Sequence, residues 1–461
     1  MEGKRRLSDN RTHGLDKKFK GEPLDNELRR NINLQKLDFD LPVQCSVNHS
    51  TNDVYGCLQC GKFFQGRDQQ SPAFKHSIAS RTDNLPHNMF VNLVTRKFYW
   101  LPRNVKVDIE GIGLLTQLQC CIKPSFSKDM IETFPQLCHD TIDKEEYING
   151  FIGINGNNHS SLKTDHISVI LLLMAHINPI RDYFLLYQGK YGQTFELFEI
   201  VSLIMKKLWS PTILRPHVSS SKLVDHLMIK YDSVLLKGGV VYNPRTVLLW
   251  LINKLTQPSA DTLKVFKQAC QGQLIQLIDK NTTKQIPFWN LTLNLPRSSY
   301  FKDGRNVNDL LQIKLEKLVR AKFYSNSENG DDSVTYQIER LPKYLIIYFN
   351  RYDSNMSNTT KELFPIRNRN QTIVEFSTQM ELPKSASDTK LQYLYRLQSN
   401  IVSQVKANSD NSKDDMNQWK IQLLNKNTNE WYEIHDIKCN KIDPELMFLK
   451  ETYLQVWEKT Y

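Results

Sequence analysis

The chain has 461 residues, with 60 Lys and Arg against 49 Asp and Glu, a formal charge of +11. With 40% apolar and 10% aromatic residues it is not a chain disordered throughout, and its length suits two or three domains. Its longest apolar run, Val169 to Ala175, is seven residues, whereas a membrane-spanning helix needs about 20, so no membrane association is expected. No apolar stretch follows Met1-Glu2-Gly3-Lys4-Arg5-Arg6, so a secretory leader is not expected and an intracellular protein is. Eight cysteines in a chain this long do not form a disulfide scaffold.

Residues 1–38 read as a basic, disordered tail. Seven basic and three acidic side chains fall in the first twenty positions. Such clusters read as a nuclear import signal or an RNA-contacting arm, or as a plain solvated end. Residues 39–145 form a short, dense segment with strands predicted over Val54–Leu58, Met89–Leu93 and Lys97–Leu101, the last stopped by Pro102. From residue 146 to 461 the pattern is a large α+β domain. Helices are predicted over Asp165–Asn178, along the stripe Leu197, Ile200, Val201, Ile204, Met205 and Leu208, over Val307–Phe323, and from Glu445 to Trp457. Trp289, Leu291, Leu293 and Leu295 alternate with polar residues as a strand does. Tyr344–Phe349 reads as a buried strand, and Trp419–Leu424 with Glu430–Ile437 as a hairpin. The polar stretches 325–333, 353–361 and 406–418 read as loops.

Cys57-Leu58-Gln59-Cys60-Gly61 carries chemistry. Two thiolates spaced by two residues reach one metal ion, and the glycine lets the backbone turn beneath the sulfurs. A tetrahedral structural zinc needs two more ligands. His76 and His87 are spaced to supply them, which gives a Cys57, Cys60, His76, His87 site for one zinc. Cys45 and His49 are the competing pair. A redox reading of the same motif needs a thioredoxin-like βαβ context that is not evident.

The stretches VYGCLQCGKFFQGR, FKHS, LPHNMFVNL and KFYWLP together resemble the zinc-finger ubiquitin-binding-protein family. Relative to members with up to three zincs, Gln65, Pro72 and Trp100 stand where further ligands would be, which implies one retained ion. Arg67 stands where the family holds the ubiquitin C-terminal carboxylate, which implies a possible ubiquitin-tail pocket.

The remainder resembles the papain-like ubiquitin-specific protease fold of fingers, palm and thumb, through GFIGINGNNHSSLKTDHISVILLLMAHINPIRDYFLL, LPKYLIIYFNRY, NQWKIQLL and NEWYEIHD. In active members a cysteine opens the first helix, where the helix dipole favours thiolate, and a distant histidine and an Asp or Asn complete a triad. The resemblance places Asp165 at the nucleophile position, Gln418 at the histidine position and His435 at the orienting position. Asp165 reads as a helix cap, and glutamine is no general base near neutral pH. Ser160, Ser161 and Ser168 have no evident histidine partner. Cys120, Cys121 and Cys138 read as packing residues. The fingers lack the usual pairs of Cys-x-x-Cys. Single-zinc finger and substituted triad together resemble the splicing-associated inactive ubiquitin-specific-protease-like family. That resemblance implies a nuclear, non-enzymatic scaffold needed to assemble or maintain the spliceosomal tri-snRNP and so for pre-mRNA splicing. Spliceosomal snRNP proteins are then the partners, with small nuclear RNA through the tail and ubiquitin or a ubiquitin-like protein as further ones. The alternatives are a ubiquitin receptor and an active cysteine protease.

Overall fold

The computed structural model describes residues 28–460 outside 29, 80–84, 134–137, 143, 156–163, 190–195, 236–242, 279–281, 297–310, 325–333, 352–369 and 407–415. The expected loops 325–333 and 353–361, Ser160 and Ser161, most of 406–418, and the tail up to residue 27 lie outside the described residues. The chain divides into two compact units: residues 1–124, 140–145 and 212–215 in the first, and 125–139, 146–211 and 216–461 in the second.

In the first unit five short antiparallel strands form one sheet, ordered Phe63–Gln65, Val54–Cys57, Met89–Asn92, Phe98–Trp100 and Val105–Val107. One face packs Met89, Val91, Phe98 and Trp100 against Leu115 and Leu118 of the helix Gly113–Ile122. Leu28, Ile32 and Leu37 are buried in the same cluster. The boundary at residue 38 therefore fails. Leu28, Ile32 and Leu37, assigned to the tail, belong to the finger's core because their apolar side chains pack in one cluster with those of the sheet. Leu214 joins that core too, and Arg215 Nη2 donates to the carbonyls of Gln35 (3.0 Å) and Leu37 (3.2 Å).

The second unit is built on an eight-stranded sheet. Its main path runs Leu291–Asn294, Tyr344–Asn350, Glu451–Thr460, Gln392–Lys406, Met416–Asn425, Glu430–His435 and Lys438–Ile442, and Gln379–Pro383 pairs with Gln392–Lys406 off that path. The buried run Tyr344–Phe349 and the hairpin with Ile421 opposite Ile434 stand as read from sequence. The segment 445–457 does not. Pro444 starts a 3-10 turn that ends at Leu449, and Glu451–Thr460 continues as a strand flanked on both edges. Its apolar spacing suits a helix, but Thr452, Tyr453, Val456 and Trp457 favour an extended chain, and pairing on two sides decides the matter. The third helix is also shorter than expected: a strand covers Gln312–Lys314 and the helix runs Leu315–Phe323.

The helix Asp165–Ala175 buries every residue from His166 onward, as an all-round apolar helix must. It stops earlier than expected. His176 and Ile177 break it, and a second helix, Asn178–Leu186, leaves at 92° with Pro179 in its first turn, where the missing N–H costs nothing. Among the described residues no single helix is long and apolar enough to cross a membrane.

A four-ligand metal centre and a carboxylate-clasped cleft

Cys57 ends the strand Val54–Cys57, and the chain turns at once: the Gly61 N–H donates to the Cys57 carbonyl (2.9 Å) and the Cys57 N–H to that of Lys62 (3.0 Å). Gly61 adopts φ +72°, and a Cβ there would lie 1.9 Å from the Lys36 carbonyl oxygen, so only glycine fits. His76 comes from the helix Pro72–Ile78, started by Ser71, whose hydroxyl accepts the Phe74 N–H, and by Pro72 in its first turn. Phe64 stacks on the His76 ring at 4.0 Å. His87 precedes the strand Met89–Asn92 and is 4% exposed.

The four side chains converge, with their ligand atoms all within 4.8 Å of one another. Cys57 Sγ lies 3.5 Å from His87 Nδ1, Cys60 Sγ 3.4 Å from His76 Nε2, and the two nitrogens 3.1 Å apart. A tetrahedron with zinc bond lengths of about 2.3 Å to sulfur and 2.05 Å to nitrogen has S···N edges of about 3.6 Å and N···N edges of about 3.3 Å. The donor set and its spacing fit a structural zinc. Burial pushes the Cys57 thiol up, whereas hydrogen bonding from Cys57, then from His76, holds Cys60 down. A divalent ion would take both sulfurs as thiolates. Cys45 and His49 share a separate turn, with the His49 N–H on the Cys45 carbonyl, and are not part of the cluster. Among the described residues this is the one such cluster. Trp100, by contrast, is buried in the apolar core.

Arg67 is held in place. Its guanidinium lies over the Tyr99 ring at 4.7 Å and donates to Asn104 Oδ1 at 2.5 Å.

In the second unit, Asp165 opens the helix Asp165–Ala175 but is its first helical residue rather than its cap. Thr164 takes the cap position without a side-chain bond. Asp165 Oδ1 accepts the His166 N–H at 2.9 Å, and Oδ2 accepts the Trp419 N–H at 2.8 Å. Trp419 is 1% exposed and directly follows Gln418. Asp165 and the residue after Gln418 therefore meet as carboxylate and main chain. His435 ends the strand Glu430–His435. With Gln422 paired to Glu433, alternation puts Gln418, Lys420, Glu433 and His435 on one face of the hairpin, and Lys420 Nζ reaches Glu433 at 3.5 Å. Gly153 lies against the next turn: a Cβ there would meet the Asp436 carbonyl oxygen at 2.2 Å.

Two described thiols of this unit are held protonated by burial. Burial pushes Cys270 up to about 12 and Cys439 up to about 11, so neither is thiolate at neutral pH. Cys120 and Cys121 lie on the finger helix, with the Cys121 thiol on the Thr212 carbonyl. Sequence reasoning missed the Asp165–Trp419 contact; it spans 254 positions and nothing local signals it.

Fold and sites define a zinc-finger protein joined to a ubiquitin-protease-type body. Residues 45–111 match the family described as "Zn-finger in ubiquitin-hydrolases and other protein", and residues 159–457 match "Ubiquitin carboxyl-terminal hydrolase". The chain is 36% identical to the pre-mRNA-splicing factor SAD1 of Saccharomyces cerevisiae, over 92% of its own length and 91% of that protein's. It is 27% identical to the probable mRNA-splicing protein ubp10 of Schizosaccharomyces pombe, over 93% of this chain and 87% of that one. A solved structure titled "Crystal structure of an essential yeast splicing factor" superposes with a TM-score of 0.77 at 35% identity, covering 95% of this chain and all of that one. The chain belongs to the ubiquitin carboxyl-terminal hydrolase family, in the group that includes SAD1.

Proposed function

We propose that this protein is a non-enzymatic component of the pre-mRNA splicing machinery, acting in the nucleus as a scaffold in assembly or maintenance of the tri-snRNP. The observation that carries the non-enzymatic half is the Asp165 carboxylate at the helix tip, bonded to the Trp419 main chain beside Gln418. A carboxylate there cannot attack as a thiolate does, and glutamine cannot relay its proton. The kinship to SAD1 over nearly the whole chain supports the splicing half. Cys57, Cys60, His76 and His87 hold one zinc whose role is structural: it fixes the knuckle and the return loop in register. Spliceosomal snRNP proteins are the expected partners, with small nuclear RNA reached through the basic N-terminal segment.

Purification under native conditions tests this reading. Small nuclear RNAs and their core proteins are expected to co-purify, and a ubiquitin vinyl-sulfone probe is expected to leave the chain unlabelled. Absence of the RNAs, or labelling, overturns it.

One observation favours a second reading, a ubiquitin or ubiquitin-like receptor: Arg67 is a guanidinium pinned on Tyr99 and Asn104. Titrating the whole chain with ubiquitin, with and without its free terminal carboxylate, decides it. Binding that needs the carboxylate and is lost in Arg67→Ala supports the receptor, and no binding of either form removes it.

A further inference from the structure

A groove of about 600 Å³ opens beside the helix Leu315–Phe323, between the segment 375–380 and the 3-10 turn Pro444–Leu449. Its apolar lining includes Phe376, Met380, Phe448 and Trp457. Its charged lining is Glu316, Glu375 and Glu445 against one cation, Lys314. In a chain of net charge +11, the groove's own lining thus carries an acidic excess, although Lys317 and Arg320 line the adjoining depression beyond Glu316. Leu446 and Leu449, on the same turn as Phe448, are 57% and 56% exposed. Apolar side chains that open to solvent within an acidic rim mark an interaction surface rather than a solubilising one.

We propose that this groove docks an arginine-bearing segment of a partner protein, with a neighbouring aliphatic side chain set against Leu446 and Leu449. The chemistry fits arginine in particular. Its guanidinium stacks on aromatic faces such as Phe376 and Phe448 and pairs bidentately with carboxylates such as Glu316 and Glu445. Met380 gives an adaptable floor. Three carboxylates against one lysine repel phosphate, so the surface selects against RNA.

The test uses the full chain and two fluorescein-labelled ten-residue peptides, one with alternating Arg and Leu and one with alternating Glu and Leu, alongside a labelled oligouridylate. Anisotropy is read at two salt concentrations. The Arg–Leu peptide is expected to bind at least tenfold more tightly than the Glu–Leu peptide, and more weakly at high salt. The double variant Glu316→Lys, Glu445→Lys, both sites exposed, is expected to lose that binding at least tenfold. Glu199→Lys, an exposed reversal on a helix that does not line the groove, is expected to leave it intact. A second variant, Phe448→Ala, checked for its melting temperature, is expected to weaken binding without changing its salt slope. Equal binding of the two peptides, or equal losses in the double variant and Glu199→Lys, overturns the proposal. So does oligouridylate competing for the same residues.

Discussion

At the scale of single residues, Asp165 serves two masters. One oxygen satisfies a helix-terminal N–H and the other ties the helix to the strand carrying Gln418. Truncation to alanine leaves the N–H of buried Trp419 without that acceptor, a loss of about 2 kcal/mol for a bond to a charged acceptor. Asp165→Ala is therefore expected to melt several degrees below wild type. Asp165→Asn, which keeps one acceptor oxygen, should fall between them. Asp165→Cys places sulfur at the helix tip but no imidazole at residue 418. It is expected to remain unlabelled by the ubiquitin vinyl-sulfone probe near neutral pH. Covalent labelling of that variant would show that the cleft still recognises and activates, contrary to the geometry. Asp165, Gln418 and His435 were legible from sequence as positions of interest because each lies inside a motif with its own spacing. The bond from Trp419 to Asp165 was not, because a main-chain donor has no sequence signature.

At the scale of elements, the end of the helix Asp165–Ala175 carries a pH dependence. His176 caps it, buried between Phe151 (5.0 Å) and Trp209 (5.5 Å), with Nδ1–H donating to the Leu172 carbonyl at 2.8 Å. Burial first, then the nearby Arg181 and Lys426 cations, holds the imidazole down at about 4, from an ordinary 6.5. Between those values the unfolded chain binds a proton that the folded one does not, so stability is full above about pH 6.5 and falls as pH drops towards 4. The loss approaches about 3 kcal/mol at the lower limit. Replacing His176 with Gln, whose Nε2 can seek the same carbonyl, should lower stability at pH 7.5 but flatten the decline between pH 6.5 and 4.5 in chemical denaturation. An unchanged slope would assign the acid sensitivity to other groups. Elements with strong local pattern were readable: the stripe on Glu196–Leu208 and the buried run Tyr344–Phe349 match their sequences. Glu451–Thr460 was not. Its spacing suits both periods, and only pairing with strands some fifty and a hundred residues earlier makes it extended.

At the scale of the whole molecule, the finger's boundary was the least legible feature, because polar and basic residues between 28 and 38 mask three core side chains. Those side chains also bear on the metal. The Asn33 N–H donates to the Leu58 carbonyl within the Cys-x-x-Cys turn (2.9 Å), and the Lys36 carbonyl sits over Gly61. The knuckle is thus braced by a segment outside the matched finger region, residues 45–111. A chain beginning at residue 39 loses the burial of Leu28, Ile32 and Leu37, each costing about 2 kcal/mol or more. It also frees the turn to open. Zinc transfer from that shortened chain to a chromophoric chelator is expected to run at least tenfold faster than from the full chain. Cys57→Ser should carry no zinc from the outset, while Cys45→Ser should carry as much as wild type. The comparison separates bracing from ligation, since the shortened chain retains all four ligands. If it released zinc at the full chain's rate, the segment 28–38 would be packing on the sheet alone, and the knuckle would hold its geometry through the metal and the Gly61 turn without help.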